Sequence, residues 1–252
     1  MWRSRLLSFS GVAVAIAVWQ VAIAGSRGLV PGPVAVVMAI GELARSGLLI
    51  RYIVASLFRV TWGYSMAVLV ALPAGVFLGS SRRAEAALHP LMQWLRPISP
   101  LAWIPLAILW FGVGDLSAMF LIFMASLLPL TLATTRAVHE VDPVVLRAAR
   151  NFGLPTRRLI PSVILPAILP QLVISMRISL GIAWLVVVAA EMIAVNSGLG
   201  FLIVDARNAG NRYDLVIAGM VLIGVIGLIL DGMMRSLTRL DLIRWSTLDP
   251  NR

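Results

Sequence analysis

The chain has 252 residues, of which 60% are hydrophobic and 13% are charged, with a mean hydropathy of +0.95. Soluble domains of this size carry about 25% charged residues, so the composition excludes an ordinary soluble domain and indicates an integral membrane protein. The formal net charge is +10, and because the arginines stand mostly at the ends of apolar runs, they indicate membrane topology rather than nucleic-acid binding. The absence of cysteine excludes disulfides and thiolate chemistry, and two distant histidines predict no metal site.

Apolar runs close to the roughly 20 residues that cross a bilayer recur along the chain. They predict an all-α, polytopic membrane protein that forms a single transmembrane domain over residues 1–252, with about six spans. The expected spans are residues 6–24, 53–78, 88–111, 116–137, 163–195 and 215–234. A polar, arginine-rich island at residues 139–162 separates the fourth span from the fifth, and such a segment must lie in water.

The third span is interrupted by Arg96-Pro97-Ile98-Ser99-Pro100, since proline cannot continue a helix. An arginine at membrane depth normally faces water or a partner, so Arg96 is a candidate for binding an anion along a transport path. The alternative is that its side chain extends to the lipid headgroups. Ser99 within the break and Trp103 just after it are further candidates for lining that path.

The fifth span carries two charged residues, Arg177 and Glu191. They are separated by close to four helical turns, so they share a similar face but cannot touch, and each needs another partner. Two interpretations stay open for both residues. Either they line or gate a transport path, or they form structural bonds between helices.

The positions of the arginines predict the orientation of the chain in the membrane. An even number of spans places both termini on one side, together with the four arginines of the island and most of the others. The opposite side receives six arginines, namely Arg27, Arg45, Arg51, Arg59, Arg207 and Arg212. By the positive-inside rule, the termini and the island are expected to be cytoplasmic.

The island has a specific spacing. Arg147-Ala148-Ala149 is followed by three residues and Gly153, then by nine residues and Val163, then by one residue and Leu165-Pro166. This spacing resembles the EAA loop of bacterial ABC-importer permeases, although Arg147 stands where that family usually has a glutamate. Residues 95–112 and 189–200 resemble the nitrate/sulfonate/taurine branch of the same family.

The resemblance implies the type I ABC importer permease fold and a location in the bacterial inner membrane. In that family the loop forms a short helix that docks into a cytoplasmic ATPase. The positions expected to couple to the ATPase are Arg147, Ala148, Ala149, Gly153, Leu154 and Pro155. The positions expected along the translocation path are Arg96, Ser99, Trp103, Arg177 and Glu191.

The same resemblance implies a set of partners. Two copies of the chain are expected to enclose one path and to bind two ATPase subunits, which carry ATP and Mg²⁺, while an extracytoplasmic binding protein delivers the solute. The chain itself is expected to bind no cofactor. Membrane lipid surrounds it, and the expected solute is a small anion such as a sulfonate, taurine or nitrate.

The sequence argues against two other functional classes. A stand-alone secondary transporter or channel would predict paired acidic residues at mid-membrane and, often, internal repeats, and neither is evident. A membrane-embedded enzyme would need paired carboxylates or clustered histidines, so no catalytic site is expected. The chain has no lysine and therefore no phosphate-binding loop of the Gly-x-x-x-x-Gly-Lys type, so it cannot be the ATPase.

Overall fold

A computed structural model describes residue 14, residues 17–21 and residues 31–237, without the side chains of Thr156 and Arg157. This part of the chain is helical and contains no strand, which confirms the predicted all-α class. Its main helices are α1 (Pro33–Arg45), α2 (Leu48–Ser80), α3 (Arg82–Leu95), α4 (Ile104–Phe111), α5 (Asp115–His139), α6 (Pro143–Asn151), α7 (Leu165–Ala194), α8 (Leu199–Asn208) and α9 (Tyr213–Leu237). A 3-10 turn, Pro100–Trp103, precedes α4, and the turns Thr156–Leu159 and Ile160–Ile164 lead into α7.

Four stretches of the described chain are long and apolar enough to cross a membrane: α2, α5, Ile160–Ala194 and α9. A fifth crossing results if α3 and Pro100–Phe111, which are bent by 85° relative to each other, form one broken span. This bend lies at the proline-rich break. The expected first span, residues 6–24, lies almost entirely outside the described residues.

Helices α2 and α5 run in the same direction and pack closely along their whole contact. The residues of α2 that face α5 are small and recur at every fourth position, namely Gly63, Ala67, Ala71, Gly75 and Gly79. A Cβ atom on Gly63 would lie only 2.7 Å from the carbonyl oxygen of Met119. Small residues allow helix backbones to approach each other in lipid, where packing rather than water exclusion drives association.

Helix α7 is antiparallel to α5. The backbone N–H of Gly114, next to the start of α5, donates to the carbonyl of Ala194 at the end of α7. At the other end, the side-chain amide of Gln171 donates to Glu140 at 2.6 Å. The bundle therefore has an end that carries α6, here called the α6 end, and an opposite end where α5 begins and α7 finishes.

Helix α1 is attached to α9 near the opposite end by apolar packing and an ion triad. Arg212 donates to Glu42 at 2.7 Å and to Asp214 at 2.8 Å. The hydrogen bond from Arg212, together with its charge, lowers the pKa of the exposed Glu42 carboxyl. Because Glu42 is exposed and Arg212 and Asp214 are half-buried, the triad orients α1 more than it stabilises the fold.

The close contact between α2 and α5 predicts that Gly75→Ala destabilises the bundle. The added Cβ would lie 2.8 Å from the carbonyl oxygen of Thr131, and overpacking of this kind costs about 1–3 kcal/mol. Gly224→Ala on α9 is the matched control, because no atom lies within 4 Å of its added Cβ and alanine favours helix over glycine. We expect thermal unfolding in detergent at a lower temperature for Gly75→Ala only. Equal unfolding temperatures for the two variants would contradict the packing argument.

Candidate functional site

A buried arginine forms the centre of a charge cluster at the end opposite α6. Arg59 of α2 is only 2% exposed. Its guanidinium donates to Asp115 at 2.7 Å and to Glu191 at 2.6 Å. It also donates to the carbonyl oxygen of Ser197 at 2.7 Å and to the hydroxyl of the same residue. These bonds tie α2 to the first residue of α5, to the end of α7 and to the following loop.

Glu191 is fully buried and accepts three hydrogen bonds. Besides Arg59, the hydroxyl of Ser56 donates to it at 2.9 Å, and so does the backbone N–H of Gly200. The Ser56 hydroxyl in turn accepts from the backbone N–H of Leu199 at 3.0 Å. Glu191 and Ser56 therefore satisfy free N–H groups in the first turn of α8, and the buried carboxylate has both a counter-charge and hydrogen-bond donors.

Gly198 connects this cluster to α8 in a way that requires glycine. Its φ is +105°, a left-handed conformation that residues with side chains rarely adopt. A Cβ atom there would also collide with the carboxyl group of Glu191. The segment Ser197-Gly198-Leu199-Gly200 is thus fitted around the buried carboxylate.

A cavity of about 450 Å³ opens beside the broken span. Arg96, at the end of α3, lines it together with Arg136, near the end of α5. The other lining residues are almost all apolar and come from the break, from the second half of α5 and from Ile182 of α7. Two guanidinium groups in such a cavity make it suited to an anion.

The other residues predicted for the path lie elsewhere. The Ser99 hydroxyl accepts from the backbone N–H of Leu101 at 3.3 Å and so caps the 3-10 turn. Trp103 packs against the apolar cluster that contains Ile104 and Ala107. Neither side chain is among those lining the cavity with Arg96.

Arg177 and Glu191, predicted to need separate partners, have them. Arg177 of α7 donates to both carboxylate oxygens of Asp231 on α9, at 2.5 Å and 2.8 Å. Arg235, one turn further along α9, also donates to Asp231. The structure thus gives Arg177 and Glu191 interhelical bonds in different parts of the bundle, and their assignment to the path stays a prediction.

The island contains a short helix with well-defined ends. At its start, the Asp142 carboxylate accepts from the backbone N–H of Val144 at 2.7 Å and caps α6. At its end, Gly153 has a φ of +77°. The N–H groups of Gly153 and Leu154 donate to the carbonyls of Arg150 and Ala149, at 2.9 and 3.1 Å, which is the pattern of a Schellman motif. The chain therefore turns sharply back toward α7.

Helix α6 is amphipathic, and its outer surface combines cations with apolar side chains. Ala149 and Leu154 pack against an apolar cluster built by the end of α5 and the start of α7. Arg147 and Arg150 are exposed, as are Val144 and Val145. Phe152 is 91% exposed, an unusual position for a phenylalanine. The packed inner side connects α6 to two membrane helices, and the outer side is free to bind a partner.

Sequence reasoning missed three members of these sites. Arg59 was counted with the arginines of the opposite side, and neither Asp115 nor Arg136 was singled out. Arg59 lies within the expected span 53–78 and Glu191 within the expected span 163–195, so the available signal was an arginine in one apolar run and a glutamate in another. That signal predicts pairing without identifying the pair, because Arg59 and Glu191 are 132 residues apart.

Comparison with known proteins identifies relatives for most of the chain. The family described as binding-protein-dependent transport system inner membrane component matches residues 71–240. A putative ABC transporter permease of Methanocaldococcus jannaschii is 40% identical over 75% of this chain and 71% of its own length. The putative aliphatic sulfonates transport permease SsuC of Bacillus subtilis is 37% identical over 92% of this chain and 85% of its own. The taurine transport system permease TauC of Escherichia coli is 36% identical over 75% of this chain and 68% of its own.

A solved structure shares the fold. A chain of the MetNI methionine ABC transporter superposes with a TM-score of 0.62 at 20% identity. The match covers 76% of this chain and 97% of the MetNI chain. It confirms the predicted type I importer permease fold for the part of the chain that superposes.

The buried cluster predicts that Arg59→Met strongly destabilises the bundle. It would leave Glu191 buried without its counter-charge, and breaking a buried pair in this way costs about 3–5 kcal/mol. Arg51→Met is the matched control, because Arg51 is exposed on the same helix. Thermal unfolding in detergent should show a large decrease for Arg59→Met, partial recovery on adding Glu191→Gln and little change for Arg51→Met. Equal decreases for Arg59→Met and Arg51→Met would contradict this role.

Proposed function

The chain belongs to the family of binding-protein-dependent transport system inner membrane components, in its nitrate/sulfonate/taurine branch, and we propose that it is the membrane subunit of an ATP-driven importer of a small anion. The single observation that carries this proposal is α6, a capped, amphipathic helix between two membrane spans with a cationic and apolar outer surface. The proposed solute is a sulfonate, taurine or a nitrate-type oxyanion. Named relatives support the first two, since they are described as permeases for aliphatic sulfonates and taurine.

In the proposed complex, α6 is the contact with a cytoplasmic ATPase. Exposed Val144, Val145 and Phe152 would enter an apolar groove of that partner, while Arg147 and Arg150 would meet its acidic rim. Ala148, Gly153 and Pro155 would shape the turn and allow close approach. Ala149 and Leu154 pack inward on the cluster formed with the ends of α5 and α7, so a displacement of α6 would reach both membrane helices.

The chain supplies one such helix, whereas an ATPase dimer presents two binding grooves. We therefore propose a homodimer that encloses one path on a two-fold axis. An extracytoplasmic binding protein would deliver the anion to the end opposite α6. This assignment places α6 and both termini in the cytoplasm, in agreement with the positive-inside count.

The proposed transport cycle depends on movement of the α6 helices at one end of the bundle. ATP binding would draw the two ATPase subunits together, move the α6 helices and switch the path from inward-open to outward-open. ATP hydrolysis on the partner would reset it, and this chain would contribute no catalytic group. Arg96 is the pathway residue with the strongest structural support, since it lines the cavity beside the broken span. Ser99 would hold that break, while Trp103, Arg177 and Glu191 would support the path through helix contacts.

Two substitutions of Gly153 test whether the turn at the end of α6 is needed for coupling to the ATPase. Gly153→Pro cannot reach a φ of +77° and removes the N–H that donates to Arg150. Gly153→Asn keeps the N–H, and asparagine tolerates the left-handed conformation. In proteoliposomes that contain the ATPase, we expect Gly153→Pro to lower solute-stimulated ATP hydrolysis about tenfold or more. Gly153→Asn should stay close to wild type.

Co-purification of the ATPase with each variant shows where any defect arises. Loss of the ATPase from Gly153→Pro alone would place the defect in assembly, and retention with uncoupled hydrolysis would place it in transmission. Both outcomes support the proposal. Normal coupling in Gly153→Pro, or uptake by the chain without any ATPase, would contradict it and favour a stand-alone transporter.

A further inference from the structure

The cavity beside the broken span extends from the α6 end toward the centre of the bundle. Arg136 lies three residues before the end of α5, and the lining residue Met124 lies twelve residues earlier. At 1.5 Å per residue, the cavity spans about 18 Å along the helix axis. This length is somewhat more than half the thickness of a bilayer core of about 30 Å.

The two arginines that line this cavity have no ionic partner in the part of the chain that the structure describes. Arg96 and Arg136 form neither a salt bridge nor a side-chain hydrogen bond with any described residue, in contrast to Arg59, Arg177 and Arg212. Each guanidinium has five N–H donors and a permanent charge. Two such groups at one cavity repel each other unless an anion lies between them.

The remaining wall strengthens the attraction for an anion. Its residues are apolar, including Leu95, Ile98, Leu128 and Leu132. An apolar wall competes for no hydrogen bond and lowers the local dielectric, which strengthens the attraction between guanidinium and oxyanion. The arginines thus supply the polar contacts, and the wall provides space for a small organic group.

We propose that Arg96 and Arg136 together bind one small oxyanion at the α6 end of the path, where the imported solute is held before release. This inference rests on the proposed importer function and adds Arg136, which lies near the end of the helix that leads into α6. Arg136 is three residues before the end of α5, so movement of α6 would change the separation of the two guanidiniums. A wider separation would weaken their joint hold on the anion and favour release.

The two guanidinium groups determine the chemistry of the ligand. A sulfonate, nitrate or bicarbonate group has oxygens that can accept hydrogen bonds from two guanidiniums at once. A planar guanidinium also favours two parallel hydrogen bonds to such a group. A phospholipid headgroup offers the same oxygen chemistry. The depth of the cavity and its apolar inner end favour a small solute over a phospholipid headgroup.

The test uses the full complex with its ATPase in zwitterionic phosphatidylcholine nanodiscs, without the binding protein. Nitrate, bicarbonate, taurine and ethanesulfonate are titrated while thermal unfolding is followed. We expect at least one of these anions to stabilise the wild type, with affinity weakened about tenfold or more in Arg96→Gln and in Arg136→Gln, because hydrogen bonds to charged groups are lost. Arg136→Lys should retain part of the affinity.

Arg83→Gln is the matched control, because Arg83 is exposed near the α6 end and is not among the residues lining the cavity. ATP hydrolysis and co-purification of the ATPase are measured for every variant, so failure of the importer proposal is seen separately. The inference is overturned if none of the four anions stabilises the wild type, or if Arg136→Gln and Arg83→Gln behave alike. It is also overturned if only added phosphatidylglycerol gives an arginine-dependent stabilisation.

Discussion

Arg59 and Glu191 are buried together where α2, α5, α7 and α8 meet, and a charge in that environment is tolerated only with its partners in place. Ser56 also donates to Glu191, and Arg59 also donates to Asp115 and to the carbonyl oxygen of Ser197. Separating any of these helices at this end would leave a buried charge unsatisfied. This requirement makes the end opposite α6 the fixed end of the protomer.

The α6 end is built differently. Its connections include an exposed bond between Gln171 and Glu140, a contact of His139 with Glu85 at 3.3 Å, and apolar packing beneath α6. The partly exposed pair of Arg177 and Asp231 joins α7 to α9 on the same side of the bundle. Between the two ends, α2 and α5 are held by close backbone contact through small residues. A protomer with one end locked by buried charges and the other held by exposed polar bonds and apolar packing can transmit a displacement of α6 without disturbing the buried cluster. The cavity with Arg96 and Arg136 opens at that more adaptable end.

Local signals in the sequence were sufficient for the helical class, the helix break beside Arg96 and the turn at Gly153. Prolines beside Arg96 predict the break, and Gly153 predicts the turn, because each acts on the backbone at its own position. The Arg59–Glu191 bond joins residues 132 positions apart, and no local pattern encodes such a pairing. Arg136 presented the same difficulty, because an arginine at the end of a span is explained equally well by topology. Its place in the cavity depends on how α5 packs beside the break.

The contact between α6 and an ATPase is tested most directly by photo-crosslinking. The chain has no cysteine, so Phe152→Cys gives a unique thiol that can carry a benzophenone maleimide on the exposed side of the α6 turn. Leu228→Cys on the exposed surface of α9 serves as the control position. If α6 binds the ATPase, we expect illumination of the assembled complex to join the chain to its ATPase from Phe152→Cys and not from Leu228→Cys. Absence of the adduct from Phe152→Cys, or equal yields at both positions, would contradict it.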